Sequence, residues 1–539
     1  MLAPPAPAVQ GQLPDPPRFA NEPHAEFYLP GVRDGIYAAL ERVRGTFGRE
    51  VPARINFEPV PCDSFDEVRP PAHPDQVMAQ AARSTHGMAA KAVDAAARAF
   101  PGWRDTPGHE RAAMLRRAAD ILVSRREELT ATMVFECAKP WAEADGDVTE
   151  AVDFIRYYAL QAEDLDEGED LSLVPAETNR LIHEGRGVAA VIAPWNFPLA
   201  IFSGMTCGAL AAGCTVVSKP AEQSPVVASM LIDALEEAGA PPGIVHFLPG
   251  RGEEVGEALI TDPRVTTIAF TGSNAVGLHI NEVASKTQPG QPMIRKVIAE
   301  LGGKNAIVVD EDADLDQAVA GVLTSAFGYA GQKCSACSRV IAVGNAYEPF
   351  RERLRAAVES LVVGPAEDPY TRVPPVISAE ARESIEGYIR IGHEDGRLLA
   401  RGPSCEGGHY VAPHVFEDIP GDSRLWREEV FGPVLVLSSA PTFEAGVDQA
   451  LDTPFALTGG IFSRNPRNIE AASRRFRVGN FYVNRAISGS MVGRQPFAGF
   501  GMSGTGEKAG GPGYVREFTV ARVVTENTMR RGFAPGSRS

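Results

Sequence analysis

Cys334 and Cys337 stand three apart in the stretch GQKCSACSR, residues 331–339. A C-x-x-C spacing serves half of a zinc site, a redox disulfide, or one nucleophile beside a bystander. A closed zinc site needs four ligands, and no second C-x-x-C accompanies this one. A thioredoxin-like pair sits between the first strand and helix of a small βαβ domain. This pair instead follows a helix and precedes a strand deep in the chain, which leaves an inert core cysteine or a nucleophile. Gly331 and Gln332 allow a sharp turn that places the Cys334 thiol on a loop. A thiol attacking a carbonyl needs an oxyanion donor, a base and an acceptor for what leaves.

All three have candidates. Asn196 in APWNFP, at the end of an apolar strand, is the donor; alone, an asparagine between two prolines caps a turn. Glu300 in AELGGKN is the base, at a strand end with Gly302 and Gly303 behind it; alone, it is a surface glutamate. The acceptor is a nucleotide. FTGSNAVG places Gly272 and Gly277 after a strand and at the opening of a helix, whose amides attract pyrophosphate. The nearby GRGEEVG (Gly250, Gly252, Gly256) comes closer to the G-x-G-x-x-G fingerprint but misplaces its last glycine, and is expected to be a turn. Lys219 and Glu222 in SKPAE suit ribose hydroxyls. An acidic side chain there disfavours a 2′-phosphate, so NAD is favoured over NADP.

The elements that must hold these residues are legible as patterns. Residues 107–137 read as one helical stretch, with Met114, Leu115, Ala118, Ile121 and Leu122 at three-to-four spacing. From Gly187 to Lys286 short β-rich runs (GVAAVIAP, CTVVSKP, GIVHFLPG, VTTIAFTGS) alternate with helical ones, which implies βαβ units and a parallel sheet. The alternation restarts after Glu300 with NAIVVD, a helix over 314–329 and SRVIAVG, a second α/β domain.

The bulk properties narrow the class. The chain has 539 residues, 44% of them hydrophobic, enough for more than one core. Its net charge of -17 speaks against a nucleic-acid partner. No apolar run reaches the length of a membrane span, and the N-terminus lacks the features of a secretion signal. Seven scattered cysteines are not a disulfide framework, so a reducing, cytoplasmic setting is expected. The proline-rich residues 1–17 and residues 530–539 read as disordered tails.

Taken together, APWNFP, SKPAE, FTGS…VG, ELGGKN, GQKCSA and EEVFGPV resemble the aldehyde dehydrogenase superfamily in order and approximate spacing, across residues 191–434 of a likeness running from Phe19 to Val524. The resemblance implies an α/β fold with a Rossmann-type NAD-binding domain (18–171 and 191–300), a catalytic domain (301–508) and oligomerisation strands (172–190 and 509–527). It implies Cys334 as nucleophile, Asn196 and the Cys334 N–H as oxyanion donors, and Glu300 as the base that hydrolyses a thioester. Ala193, Pro194, Trp195, Lys219, Glu222, Gly272, Ser273 and Gly277 would hold the nucleotide, with Glu429 and Phe431 at the nicotinamide end. Cys337 is left without a role. A homodimer or higher homo-oligomer follows from the strand pair.

The stretch from Asn484 to Val515 and the N-terminal RFANEP are similar to the branch of that superfamily that oxidises L-glutamate γ-semialdehyde in proline catabolism. For that zwitterionic substrate Gly489, Ser490 and Ser335 would take the α-carboxylate, Phe197 and Phe497 the methylenes, and Glu143 the α-amino group. Ser490 departs from the alanine expected there, and RVPPVIS from a glycine-proline turn. About 70 residues precede the similar core, too few for a fused proline dehydrogenase, which leaves a transient contact with that enzyme as an expected partner. Three competitors are weighed against this: a dehydrogenase of another aliphatic or betaine-type aldehyde, an enzyme passing the acyl group to coenzyme A, and a non-catalytic protein keeping the fold. The anion-binding loop SGSMVGRQPF opposes the first, Glu300 the second, and the intact nucleophile, donor and base the third.

Overall fold

The structure, a computed structural model, describes residues 18–172 and 174–528; the expected tails lie outside the described residues. Five parallel strands form the heart of an eight-stranded sheet, in the order Lys296–Glu300, Val265–Thr271, Val188–Ile192, Thr215–Lys219, Val245–Phe247. Val188–Ile192 and Thr215–Lys219 are buried at every residue, because helices cover both faces of the sheet. In chain order this is 5-4-1-2-3, so consecutive connections leave Val188–Ile192 in opposite directions. A crevice opens at such a switch point, outside the carboxyl ends of the strands.

Two sequence expectations change here. The helical run over 107–137 is two helices, Gly108–Ser124 and Arg126–Glu136. The Ser124 hydroxyl bonds back to the Ile121 carbonyl at 2.7 Å and Arg125 leaves helical geometry (φ -105°, ψ 13°), so the axis breaks there. GRGEEVG is not a simple turn: Gly252–Gly256 is a π-helical turn running into the helix Glu257–Thr261.

The helix Trp141–Glu167 follows Pro140 and ends at Gly168, whose φ of 66° stops it. It packs on the small-residue helix Ala200–Ala211, where Phe154 lies against Gly204 and Tyr158 against Gly208. The second sheet has seven strands, in the order Arg397–Arg401, His414–Glu417, Val434–Ala440, Cys337–Val343, Asn305–Val309, Thr458–Phe462, Asn480–Val483. All pair in parallel except Arg397–Arg401. It encloses its own core. Only four residues separate Glu300, ending one sheet, from Asn305, opening the other.

The chain also crosses the expected boundaries. Gly504–Thr505 returns to the first sheet, antiparallel to Ala299 and Glu300, and Leu301 N–H donates to Ser503 O at 2.9 Å. A separate three-stranded sheet pairs Glu177–Gly185 with Thr519–Asn527 over nine residues, with Glu169–Asp170 on its other side. The expected flap of 172–190 and 509–527 is therefore shorter in strand. Val188–Ala190 belongs to the eight-stranded sheet, and Val515–Phe518 is a helical turn.

Candidate active site

Cys334 sits where two cavities meet. One, an open cleft of about 770 Å³, includes Glu150, Phe197, Ser335, Gly489, Ser490 and Phe497 in its walls. The other, about 670 Å³, includes Pro194, Trp195, Asn196, Gly272, Ser273 and Glu429. Cys334, Glu300, Thr271 and Leu301 line both. A thiol at this junction can be reached from both cavities.

The turn that carries the thiol is strained. Tyr329, Ala330 and Gly331 take positive φ in succession (53°, 54° and 70°), so the turn begins two residues before the glycine. Left-handed geometry at non-glycine residues costs of order 1–3 kcal/mol each. Tertiary bonds hold it: Tyr329 Oη donates to Cys137 O at 2.9 Å, and Gln332 Oε1 accepts from Ile377 N at 2.9 Å. Asn196 is buried, with Nδ2 donating to Gln332 O at 3.1 Å, beside the nucleophile. The second Nδ2 hydrogen is available to a developing oxyanion.

Burial, then the Glu429 and Glu300 carboxyls, push the Cys334 thiol above its ordinary pKa; the Ser335 N–H pulls it the other way. Burial also raises Glu300 well above the carboxylate range, opposed by Lys508. Among the described residues no side chain hydrogen-bonds either Glu300 oxygen, and the Gly499 N–H, with Lys508, only partly offsets the burial. Burial thus works against the charged form of both groups, so each proton transfer must accompany the step it serves, attack by the thiol and later activation of water.

The second cavity lies at the switch point between Val188–Ile192 and Val265–Thr271. Ser273 caps the helix Asn274–Ser285, its Oγ accepting from Val276 N at 3.4 Å. A Cβ on Gly277 would overlap Leu301, so only glycine lets this helix approach the strand end so closely. Glu222 Oε1 accepts from Gly252 N at 2.7 Å and Lys219 Nζ at 3.3 Å, one strand over. Ala193 is buried with its N–H on Lys219 O and is not in the cavity wall. Trp195 and Phe431 meet edge to face at 5.6 Å. Glu429 Oε1 accepts from Gly303 N at 2.9 Å, and burial lifts its pKa to about 7. A helix N-terminus at Gly272 and Ser273 and an aromatic pair across the cavity suit a dinucleotide, while Lys219 and Glu222 lie outside the cavity wall.

Glu143 is a correction. It binds Lys333 Nζ at 2.6 Å and is absent from the wall of the substrate-side cleft. The helix Trp141–Glu167 presents residues 143, 147, 150, 154 and 158 along one stripe, and seven residues advance it by about 10 Å. Glu150, Phe154 and Tyr158 therefore reach the cleft, while Glu143 stops two turns short. The helical spacing was present in the sequence; which turn faces the cleft was not. Cys337 is buried at the start of its strand, with Sγ against Arg339 O at 3.3 Å. His409 and His414 have the spacing of a ligand pair, but among the described residues no group of three or more His, Cys, Asp or Glu is arranged for a metal.

Residues 62–524 match the aldehyde dehydrogenase family. The chain belongs to that family. It is 43% identical to the 1-pyrroline-5-carboxylate dehydrogenase of Geobacillus thermodenitrificans over 509 residues, covering 94% of this chain and 99% of that one. Among solved structures it is similar to the Thermus 1-pyrroline-5-carboxylate dehydrogenase with bound NAD (TM-score 0.93, 44% identity, 94% of this chain and 99% of that one). It is also similar to proline utilization A from Bdellovibrio bacteriovorus (TM-score 0.95, 46% identity, 97% of this chain). The chain spans 55% of the length of that last protein. The family fold accounts for the two sheets and for the cysteine at their junction.

Proposed function

We propose that this protein oxidises L-glutamate γ-semialdehyde, the open form of 1-pyrroline-5-carboxylate, to L-glutamate with NAD, a step of proline catabolism. One observation carries the choice of substrate: the cleft on one side of Cys334 has the polarity of an amino acid with a short apolar arm. Ser335, Gly489 and Ser490 supply donors for a carboxylate, Phe197 and Phe497 flank the methylenes, and Glu150 takes the place expected of Glu143 for the amino group. Burial, chiefly, lifts Glu150 to about 8, a carboxyl that an arriving ammonium would draw back into its charged form. Phe497 is fixed by paired backbone bonds with Ala509, both 2.9 Å.

Cys334 gives up its proton to solvent in the cleft as the sulfur attacks the aldehyde carbon, and the Asn196 amide with the Cys334 N–H holds the oxygen. NAD, when bound, accepts the hydride that leaves this carbon. Pro194, Trp195, Gly272, Ser273, Glu429 and Phe431 shape its site, with Lys219 and Glu222 at the ribose; the Glu222 carboxylate repels a 2′-phosphate, which favours NAD over NADP. The resulting Cys334 thioester is cleaved by water that Glu300 deprotonates, releasing glutamate.

The strand Thr519–Asn527 is the outer strand of its three-stranded sheet, with Val523 and Val524 exposed, which supports pairing with a second copy and a homodimer at least. The likeness to proline utilization A supports a functional link to a proline dehydrogenase. Among the described residues no helix is long and apolar enough to cross a membrane. NADH formation with the semialdehyde beside propanal, each with NAD and NADP, tests the reading. Strong preference for semialdehyde and NAD is expected; equal turnover of propanal overturns the substrate assignment.

A further inference from the structure

Asn305 opens the strand Asn305–Val309, is buried, and commits its side chain to the turn that carries Cys334. Its Nδ2 donates to Cys334 O at 2.7 Å and to Ala336 O at 2.9 Å. Its Oδ1 accepts from Thr458 N at 3.0 Å, and its main-chain oxygen from Ser338 Oγ at 3.1 Å. Thr458 Oγ1 in turn donates to Ser335 O at 3.3 Å. Three successive carbonyls, those of Cys334, Ser335 and Ala336, are thus tied to two neighbouring strands.

A trans peptide is planar, with its C=O and N–H pointing opposite ways. Holding the Cys334 carbonyl therefore fixes the direction of the Ser335 N–H at the other end of the same peptide, beside the thiol in the wall of the cleft that Cys334 and Ser335 share. An asparagine with only a packing role would have no need to place both amide hydrogens on the carbonyls flanking the nucleophile turn.

We propose that Asn305 is a positioning residue for the nucleophile: by gripping the Cys334 and Ala336 carbonyls it fixes the orientation of the turn that presents the sulfur and the Ser335 N–H to the cleft, and so governs how readily the sulfur reacts. The proposal rests on the reading of Cys334 as nucleophile. Asn305→Asp is isosteric but turns two donors into an acceptor facing two carbonyl oxygens, so the grip becomes repulsion.

The test is the rate of Cys334 alkylation by iodoacetamide in the full chain at a fixed pH of about 8, read per folded molecule by peptide mass spectrometry, with the pre-steady-state NADH burst measured alongside. In Asn305→Asp the rate is expected to fall about tenfold or more, tenfold being the loss of thiolate per pH unit below the midpoint. The burst slows in step, NAD affinity stays unchanged, and Asn305→Ser, which keeps one donor and adds no charge, falls between. An unchanged rate overturns the proposal, including where active protein is merely scarcer, since that marks a purely structural role. If Asn305→Asp does not fold, Asn305→Ser decides by the same criterion. Turnover surviving in Cys334→Ala would instead break the nucleophile reading itself.

Discussion

Removing Lys139 should cost more than any other single ion-pair change in this protein. Lys139 and Asp147 are both fully buried, with Nζ 2.7 Å from Asp147 Oδ2. Nζ also donates to Asn196 O at 2.7 Å and lies 4.1 Å from the centre of the Phe197 ring. Asp147 Oδ1 accepts from Ala200 N at 2.6 Å, so the pair clamps both ends of the loop presenting Asn196 and Phe197. Lys139→Met fills similar space but strands a carboxylate without its counter-charge, at a cost of about 3–5 kcal/mol. With a urea m-value of about 3–4 kcal/mol per M, the unfolding midpoint should fall by roughly 1 M.

The pH dependence gives a second check. Burial already holds Asp147 above its ordinary pKa against the pull of Lys139, and loss of that pull raises it further. A carboxyl with a raised folded pKa favours folding most below its unfolded value, about 3.9, and loses that advantage as pH rises through the folded value. The deficit of Lys139→Met should therefore widen from about pH 5 to pH 8. Lys139→Met/Asp147→Asn removes the stranded charge and should recover most of the loss, a coupling read from the double-mutant cycle. Urea unfolding at both pH values decides it. A single variant within about 1 kcal/mol of the parent at pH 8, with no recovery in the double variant, would refute the reasoning.

Cys334→Ala should abolish turnover while binding NAD normally by fluorescence titration, and Cys337→Ala should be close to silent, because its sulfur faces Arg339 O in the core. Glu300→Gln should give an NADH burst and then stall, with steady-state turnover down by about 10²–10⁴. In the parent, the raised Glu300 pKa means that the basic form accumulates only above the ordinary carboxylate range, so turnover should climb with pH beyond that range. A profile already flat just above the ordinary carboxylate range would point to another base. Glu150→Gln should raise KM for the semialdehyde by about 10-fold or more, the worth of a charge-assisted contact, and leave propanal kinetics unchanged. A larger effect from Glu143→Gln on the semialdehyde KM would return the amino-group role to Glu143.

The proposed chemistry and the order of its parts are legible in residue types and their spacing. The residues proposed as reactive lie in short motifs whose neighbours are local: prolines around Asn196, glycines after Glu300, and a glycine before Cys334 that permits a tight turn. Strands such as Val188–Ile192 were legible because burial on both faces leaves a continuous apolar run. The tertiary structure decided what depends on direction or on distant partners. Glu143 and Glu150 are both acidic residues on one helix stripe, and only the docking of that helix on Ala200–Ala211 selects Glu150 for the cleft. The break at Arg125 is a change of backbone angle within an unbroken helical pattern. Gly504–Thr505 pairs with a strand some 200 residues earlier, a pairing that two residues cannot announce. The positive φ at Tyr329 and Ala330 is held by Cys137 and Ile377, far away in the chain. Residue type and spacing record which reactions are available; side-chain direction and long-range hydrogen bonds exist only once the chain has folded.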